Sequence, residues 1–256
     1  VKIVTWNVNS IRSRLDGILD WLEANRPDVV LLQELKCVDQ EFPVDEVGDL
    51  GYDALFTGER TYNGVGILTR DEARLVTKVL PGDDADTHKR FIAADVEGVR
   101  FVSVYVPNGQ SLDSDKYPYK LAWLDRLARW LETQGLPERP LVISGDYNIA
   151  PADLDVWDVR AMQGSTHVSP PERAAFQRLL DLGLVDAYRK VSPDVRQFSW
   201  WDYRAGAFQR DAGLRIDHHL VSVGISARIQ GVTIDQAARG QEKASDHAPV
   251  ILDLRD

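Results

Sequence analysis

Short runs of apolar and alternating residues recur along this chain, separated by polar breaks that carry Gly, Pro, Asn or Asp. KIVTWNV, DVVLLQE, YDALFT, GVGILT, ARLVTKVL, RFIAADV, RFVSVYVP, LVISGD, RIDHHLVS, ARIQGVTI and APVILDL predict about eleven strands by period and β-branched content. Several are nearly continuous in apolar residues, which suits strands buried on both faces. Helical periodicity is scarcer. Leu15, Ile18, Leu19 and Leu22 follow an i, i+3, i+4, i+7 pattern that stops before Pro27, and Leu121, Leu124, Ala128 and Leu131 mark a second helix ending near Gly135. A third helix is centred on Phe176, Leu179 and Leu180. Many strands with a few covering helices predict an α/β protein, a sandwich of two sheets packed face to face with helices outside. The long connections over 106–120, 149–175 and 198–213 read as working surface loops.

At 256 residues and 44% hydrophobic, the chain can fill one large core, so a single domain over 1–256 is expected. The opening VKIVTWNVNS lacks the basic and apolar regions of a secretory leader, and no stretch approaches the length of an apolar membrane span. Cys37 is the single cysteine, which fits a reducing compartment and a cytoplasmic protein; its neighbour Lys36 would lower the thiol pKa if the two interact. A net charge of −10 argues against a surface that clings everywhere to polyanions. It leaves room for a local basic rim, for which Arg12, Arg14, Lys89, Arg90, Lys116, Lys120, Arg204, Arg210 and Arg215 are the candidates.

The ends of the strands change the picture further. DVVLLQE finishes in Glu34, LVISGD finishes in Asp146, Asp217 precedes HHLVS, and Asp246 precedes APVILDL. A lone carboxylate is costly inside a sheet, so each belongs at a sheet end or beside a partner. Asn7, Asn148 and His247 stand at similar places. Carboxylates and amides from separate strand tips are suitable oxygen donors for Mg²⁺, with Mn²⁺ also compatible. The chemistry such a set serves is phosphoryl transfer: a cation neutralises charge on phosphate oxygens, and an Asp-oriented His and a further acid handle charge and protons. Locally, GDYN also reads as an Asx turn, and Tyr105 in VYVPNG as a packing residue. His218 and His219 alternate on a strand and so point apart, while His88 and His167 fall in loops; none of the four is given a role.

Taken together and in order, TWNVNSIR, LLQELK, YNGVGIL, VYVPNG, SGDYNIAPADLD, FSWWDYR, GLRIDHHLVS and SDHAPV resemble the bacterial exonuclease III branch of AP endonucleases, within the wider endonuclease/exonuclease/phosphatase family. The resemblance runs nearly the whole chain. It implies a four-layered αββα sandwich of two mixed β-sheets flanked by helices, and a Mg²⁺-dependent enzyme that cuts damaged double-stranded DNA on the 5′ side of abasic sites. Removal of blocked 3′ ends and of 3′ nucleotides is implied beside it, as are a monomeric state and a place at the nucleoid. By the same resemblance Glu34 is the principal metal ligand, with Asn7 and Asp246 near it. His247 is the histidine of the chemistry, oriented by Asp217; Asp146 handles a proton, and Asn148 and Tyr105 hold the phosphate. Asn108 supports that loop, and Trp200, Leu214 and Ile216 form the apolar wall for a base-free sugar, with Trp201 packing inward. Asn9 stands where the vertebrate branch has an acid, which keeps it out of the ligand set. The rival readings are another phosphoesterase of the same superfamily, acting on phosphoinositides, sphingolipids or undamaged DNA, and a catalytically silent DNA-binding scaffold.

Overall fold

A computed structural model describes residues 1–256. In chain order the strands are β1 (Lys2–Asn7), β2 (Val29–Gln33), β3 (Asp53–Thr57), β4 (Val65–Thr69), β5 (Ala73–Thr77), β6 (Phe91–Val96), β7 (Val99–Tyr105), β8 (Leu141–Asp146), β9 (Leu184–Asp186), β10 (Trp200–Trp201), β11 (Gly213–Leu214), β12 (Asp217–Ser222), β13 (Ile229–Ile234) and β14 (Val250–Leu254). The helices are α1 (Leu15–Asn25), α2 (Val44–Asp49), α3 (Lys116–Glu132), α4 (Pro170–Asp181), α5 (Ala187–Val191), α6 (Val223–Ser226) and α7 (Gln236–Arg239).

Every apolar run predicted as a strand is one, and the three periodic stretches are α1, α3 and α4. Helix α1 ends at Arg26, whose left-handed φ of 46° turns the chain ahead of Pro27. Helix α3 starts at Lys116, inside the stretch read as a loop, because Pro118 falls in the first turn, where its missing N–H has no partner to lose. Ser169 caps α4 in a reciprocal box with Glu172.

Two six-stranded sheets form, in the orders β13-β14-β1-β2-β4-β3 and β5-β6-β7-β8-β12-β9. Each is mixed: β1 runs parallel to β2 and β7 parallel to β8, with antiparallel neighbours on both sides. Ile3, Leu31 and Ile67 from the first sheet meet Ile92, Phe101 and Val142 from the second in one buried cluster, the filling between the layers. Ile18 and Leu22 of α1 cover the outside of the first sheet, packing with Val30 and Leu32. Trp123, Leu127 and Leu131 of α3 and Phe176 and Leu179 of α4 cover the second, with Val102 and Ile143. The architecture is αββα. No helix is long and apolar enough to cross a membrane.

Gly145 shows how tightly the second sheet is drawn at its end. A Cβ there would lie 1.8 Å from the carbonyl oxygen of Val104, so β7 and β8 approach as they do only because position 145 has no side chain. The register then sets Tyr105 beside Asp146, and Asp146 beside Asp217 on the antiparallel β12.

Candidate active site at the strand ends

The parallel strands β1, β2, β7 and β8 all deliver their C-terminal ends to the same edge of the sandwich, and the antiparallel β12 and β14 begin there. That topology is what brings together residues far apart in sequence. Asn7 ends β1, Glu34 follows β2, Tyr105 ends β7, Asp146 ends β8, Asp217 opens β12 and His247 lies just before β14. Glu34 and Asn148 sit in the left-handed region, at φ 52° and 50°, conformations that cost energy for non-glycine residues and turn both side chains out of the strand direction.

The contacts are direct. His247 Nδ1 donates to Asp217 Oδ2 at 2.9 Å, and its Nε2 lies 3.6 Å from Asp146 Oδ2. Ser199 Oγ donates to the same Asp217 oxygen at 2.7 Å, while Asp217 Oδ1 is buried with no hydrogen-bond partner. Asn7 Nδ2 bridges Glu34 Oε1 at 2.8 Å and Asp146 Oδ2 at 3.0 Å. Tyr105 donates its phenol to Glu34 Oε1 at 2.9 Å. Donor atoms of Glu34, Asp146 and His247 all lie within 4.8 Å of one another.

Electrostatics follow from crowding acids in a dry place. Burial, with Asp217 and Glu34 adding repulsion, raises the Asp146 carboxyl to about 7 against the pull of His247 and Asn7. Burial works to discharge His247, but the carboxylates of Asp217 and Asp146 overcome it and hold the imidazolium up to about 10. Burial and the carboxylates of Glu34 and Asp146 push the Tyr105 phenol far up, so it stays a neutral donor. Oxygen donors of excess negative charge beside one oriented imidazolium suit a hard divalent cation next to a phosphate.

The sequence signature of the Endonuclease/Exonuclease/phosphatase family matches residues 4–247. The chain belongs to that family. Exodeoxyribonuclease III of Haemophilus influenzae is 37% identical over 270 residues, covering all of both chains. Among solved structures, the 3′-5′ exonuclease NExo from Neisseria meningitidis superposes with a TM-score of 0.97 at 42% identity, and an AP endonuclease from Archaeoglobus fulgidus with 0.96 at 34%, each over 100% of both chains.

Within this family member the remaining site residues fall into two groups. Asn108 Nδ2 donates to Asn148 Oδ1 at 3.3 Å, and Asn148 Nδ2 donates to the Val106 carbonyl at 2.9 Å, so the two amides form one platform beside Asp146. Trp200 and Leu214 pair across the β10–β11 ribbon, Trp200 also bridges to His247, and both line an adjoining cleft of about 480 Å³. Ile216 packs in the same apolar cluster as Leu214 but does not line the cleft. Trp201 is buried, its ring edge-on to Phe208.

Asp246 stands apart from the acid cluster. Its oxygens accept from Trp200 Nε1 at 2.9 Å and Asn9 Nδ2 at 3.2 Å, which ties it to the cleft wall. The Asn7 amide oxygen is likewise taken, by the Asn9 N–H at 3.0 Å. Of the two carboxylates expected around a cation, Glu34 belongs to the close donor group, and Asn7 touches that group through its amide nitrogen.

Two rim candidates are corrected. Lys120 is fully buried against Glu172, and Arg215 is buried against Asp155 and Asp186; each finds a carboxylate inside the fold that its sequence neighbourhood does not reveal. Arg12, Lys116, Arg204 and Arg210 are exposed. Lys36 turns away from Cys37 toward Glu34 and Asn9, and burial raises the thiol to about 11. His218 and His219 point apart, each satisfied within the core. His167 is a loop residue as expected, yet it lines the cleft with Trp200, and its Nδ1 donates to the Asn148 carbonyl at 2.7 Å. Ser199 and His167 had no spacing signal; only the fold carries them to the site.

Proposed function

We propose that the chain is a DNA-repair phosphodiesterase that hydrolyses the phosphodiester 5′ to abasic sites in duplex DNA and also works on 3′ ends, as 3′-phosphatase and 3′-to-5′ exonuclease. The observation that carries this is the joining of Glu34, Asp146 and His247 in one donor group beside the Asn148 platform and the Trp200 cleft. The excess of buried carboxylate fits a cation, which Glu34 would hold with help from Asn7, and with Asp246 nearby through Asn9. Mg²⁺, or Mn²⁺ in its place, supplies charge neutralisation at phosphate oxygens.

The chain's own groups supply the rest. His247, kept charged and oriented by Asp217, offers Nε2–H to a phosphate oxygen. Asp146, whose carboxyl titrates near neutrality, accepts the proton of an attacking water or returns one to the departing 3′ oxygen. Asn148 has a second amide N–H beyond the one given to Val106, and with Tyr105 it holds the phosphate. Trp200 and Leu214 offer a flat wall to a sugar with no base, which flips out at low cost. The protein acts as a monomer in the cytoplasm, at the nucleoid.

His167 favours a narrower reading of the balance. Its imidazole takes up part of the cleft beside Trp200, and NExo, named a 3′-5′ exonuclease, shares 42% of its sequence with this chain. In that reading 3′-end processing outruns abasic incision. Equimolar duplexes carrying an abasic site, a 3′ phosphate and a recessed 3′ end, given to the purified protein with Mg²⁺, rank the activities. Turnover on none of them, with lipid or free nucleotide phosphoesters cleaved instead, contradicts the DNA assignment. Trp200→Ala is expected to slow abasic incision at least tenfold more than 3′-phosphate removal; equal losses mark Trp200 as packing only.

A further inference from the structure

Lys120 of α3 and Glu172 of α4 form an ion pair in which both side chains are fully buried. A buried pair of this kind adds little net stability over well-packed apolar residues, so its presence calls for another account. The hydrogen bonds supply one. Beyond Glu172, Lys120 Nζ donates to the Asn148 carbonyl at 2.6 Å and to the Asn108 carbonyl at 3.2 Å, which uses all three of its protons. Glu172 in turn receives the His167 N–H at 3.0 Å, Thr166 Oγ1 at 2.9 Å and the Ser169 N–H at 3.1 Å. Three loops that share no secondary structure thus converge on one ion pair: 106–110, 147–150 and 164–169.

These loops carry the amide platform and a wall of the cleft. Asn148 is held in the left-handed region, and Asn108 is followed by Gly109 at φ 86°, where a Cβ would lie 3.0 Å from Lys120 Cδ. The Asn148 carbonyl receives both Lys120 and His167 Nδ1, which fixes the peptide from which its amide projects. The cation end of the pair faces the site, and Asp146 is among the charges that stabilise it.

We propose that the Lys120–Glu172 pair is a positioning device for the reaction: by fixing the Asn108 and Asn148 backbones it aims their amides at the phosphate and sets His167 in the cleft wall. This rests on the phosphodiesterase reading above. A displacement of about 1 Å in such a platform costs up to about 100-fold in rate.

The test uses the full chain loaded with Mg²⁺. In Lys120→Met/Glu172→Gln no charge is left unpaired, and kcat for 3′-phosphate removal is expected to fall about 10- to 100-fold, KM to move less than about threefold and the inhibition constant of inorganic phosphate to rise about tenfold. Lys120→Arg keeps the charge and is expected to recover part of both losses. Leu22→Ala, in the core on the far side of the sandwich, serves as a destabilised control in which kcat and phosphate affinity stay put. If the double variant matches that control in both readouts, the proposal is overturned; if it does not fold, Glu172→Gln alone is measured against the same criteria. Should the wild type turn over no DNA substrate, the functional reading fails, and direct binding of inorganic phosphate to wild type and variant still decides the role of the pair.

Discussion

Two clusters of buried charge meet at β12, and they are built on opposite principles. Asp217 and His218 are adjacent on that strand and point to opposite sides of it, one into each cluster. On the His218 side, Arg215 grips Asp186 with two bonds of 2.8 and 3.1 Å and Asp155 with one of 2.7 Å, while Arg189 takes Asp155 from another direction. Two guanidinium groups face two carboxylates, and these groups are all hydrogen-bonded. On the Asp217 side, Glu34, Asp146 and Asp217 face one imidazolium and one lysine, and a carboxylate oxygen is left without a partner. A cluster that only braces the fold balances its charge. One that is short of positive charge at the mouth of a cleft is arranged for something that arrives from outside, a cation and a phosphate.

That contrast can be broken at either end. His247→Ala on the unbalanced side should lower DNA cleavage about 10²- to 10⁴-fold while DNA affinity is kept; loss of binding in parallel with turnover marks His247 as structural. Arg215→Met on the balanced side should instead strike the fold, destabilising it by about 3–5 kcal/mol in chemical denaturation because Asp155 and Asp186 lose a shared partner. A change below about 1 kcal/mol removes the brace from the account.

Neutralising an acid sharpens the contrast further. The Asp146 carboxyl is raised to about 7 in the folded chain, above its ordinary value of 3.8, so its contribution to folding is complete below 3.8, declines above it and is lost as pH rises through 7. At pH 8 the charged form is a burden that Asn does not carry. Asp146→Asn should therefore stabilise the metal-free protein by about 2 kcal/mol at pH 8, with turnover abolished; a lowered melting midpoint in chelator contradicts this.

The smallest effect lies in the imidazoles of the core. Burial, the largest cause, holds His218 and His219 to about 4, below the ordinary 6.5, so the stability tied to their neutral forms is complete above 6.5 and is lost as pH falls toward 4. Asp146 and His247 gain stability over the same range, so the effect is read as a difference: relative to His219→Gln, the wild type should lose about 1 kcal/mol between pH 7 and pH 5.5. Asp186, held at about 2 by Arg215 against burial, adds nothing to the slope until below 3.8. A difference that stays flat over that range means that the ring does not stay neutral.

Much of this organisation was legible in the residue order. A β-run such as LVISGD declares both its strand and the acid at its end, and repeated strand-end acids point to a shared site before any distance is known. Short elements were not legible: β9 and the helices α2, α5, α6 and α7 hold too few residues for a period to show. Buried ion pairs were hidden for a different reason. A lysine's spacing on α3 says nothing about a glutamate 52 residues away on α4, and Lys and Arg are by default surface residues, so Lys120 and Arg215 read as rim when both are interior. The cleft contribution of His167 was hidden in the same way, since a loop carries no periodicity from which to aim a side chain.

The central claim is that the acids gathered at the strand ends work through a divalent cation to split a sugar–phosphate bond. The most direct measurement is the product ends formed on one abasic duplex, with a 3′ phosphate on its other strand, as Mg²⁺ is titrated into chelated protein. The account predicts no cleavage in chelator, and 3′ hydroxyl ends on both strands rising together with Mg²⁺. Cleavage that persists unchanged in chelator, or the absence of any product at saturating Mg²⁺, contradicts it.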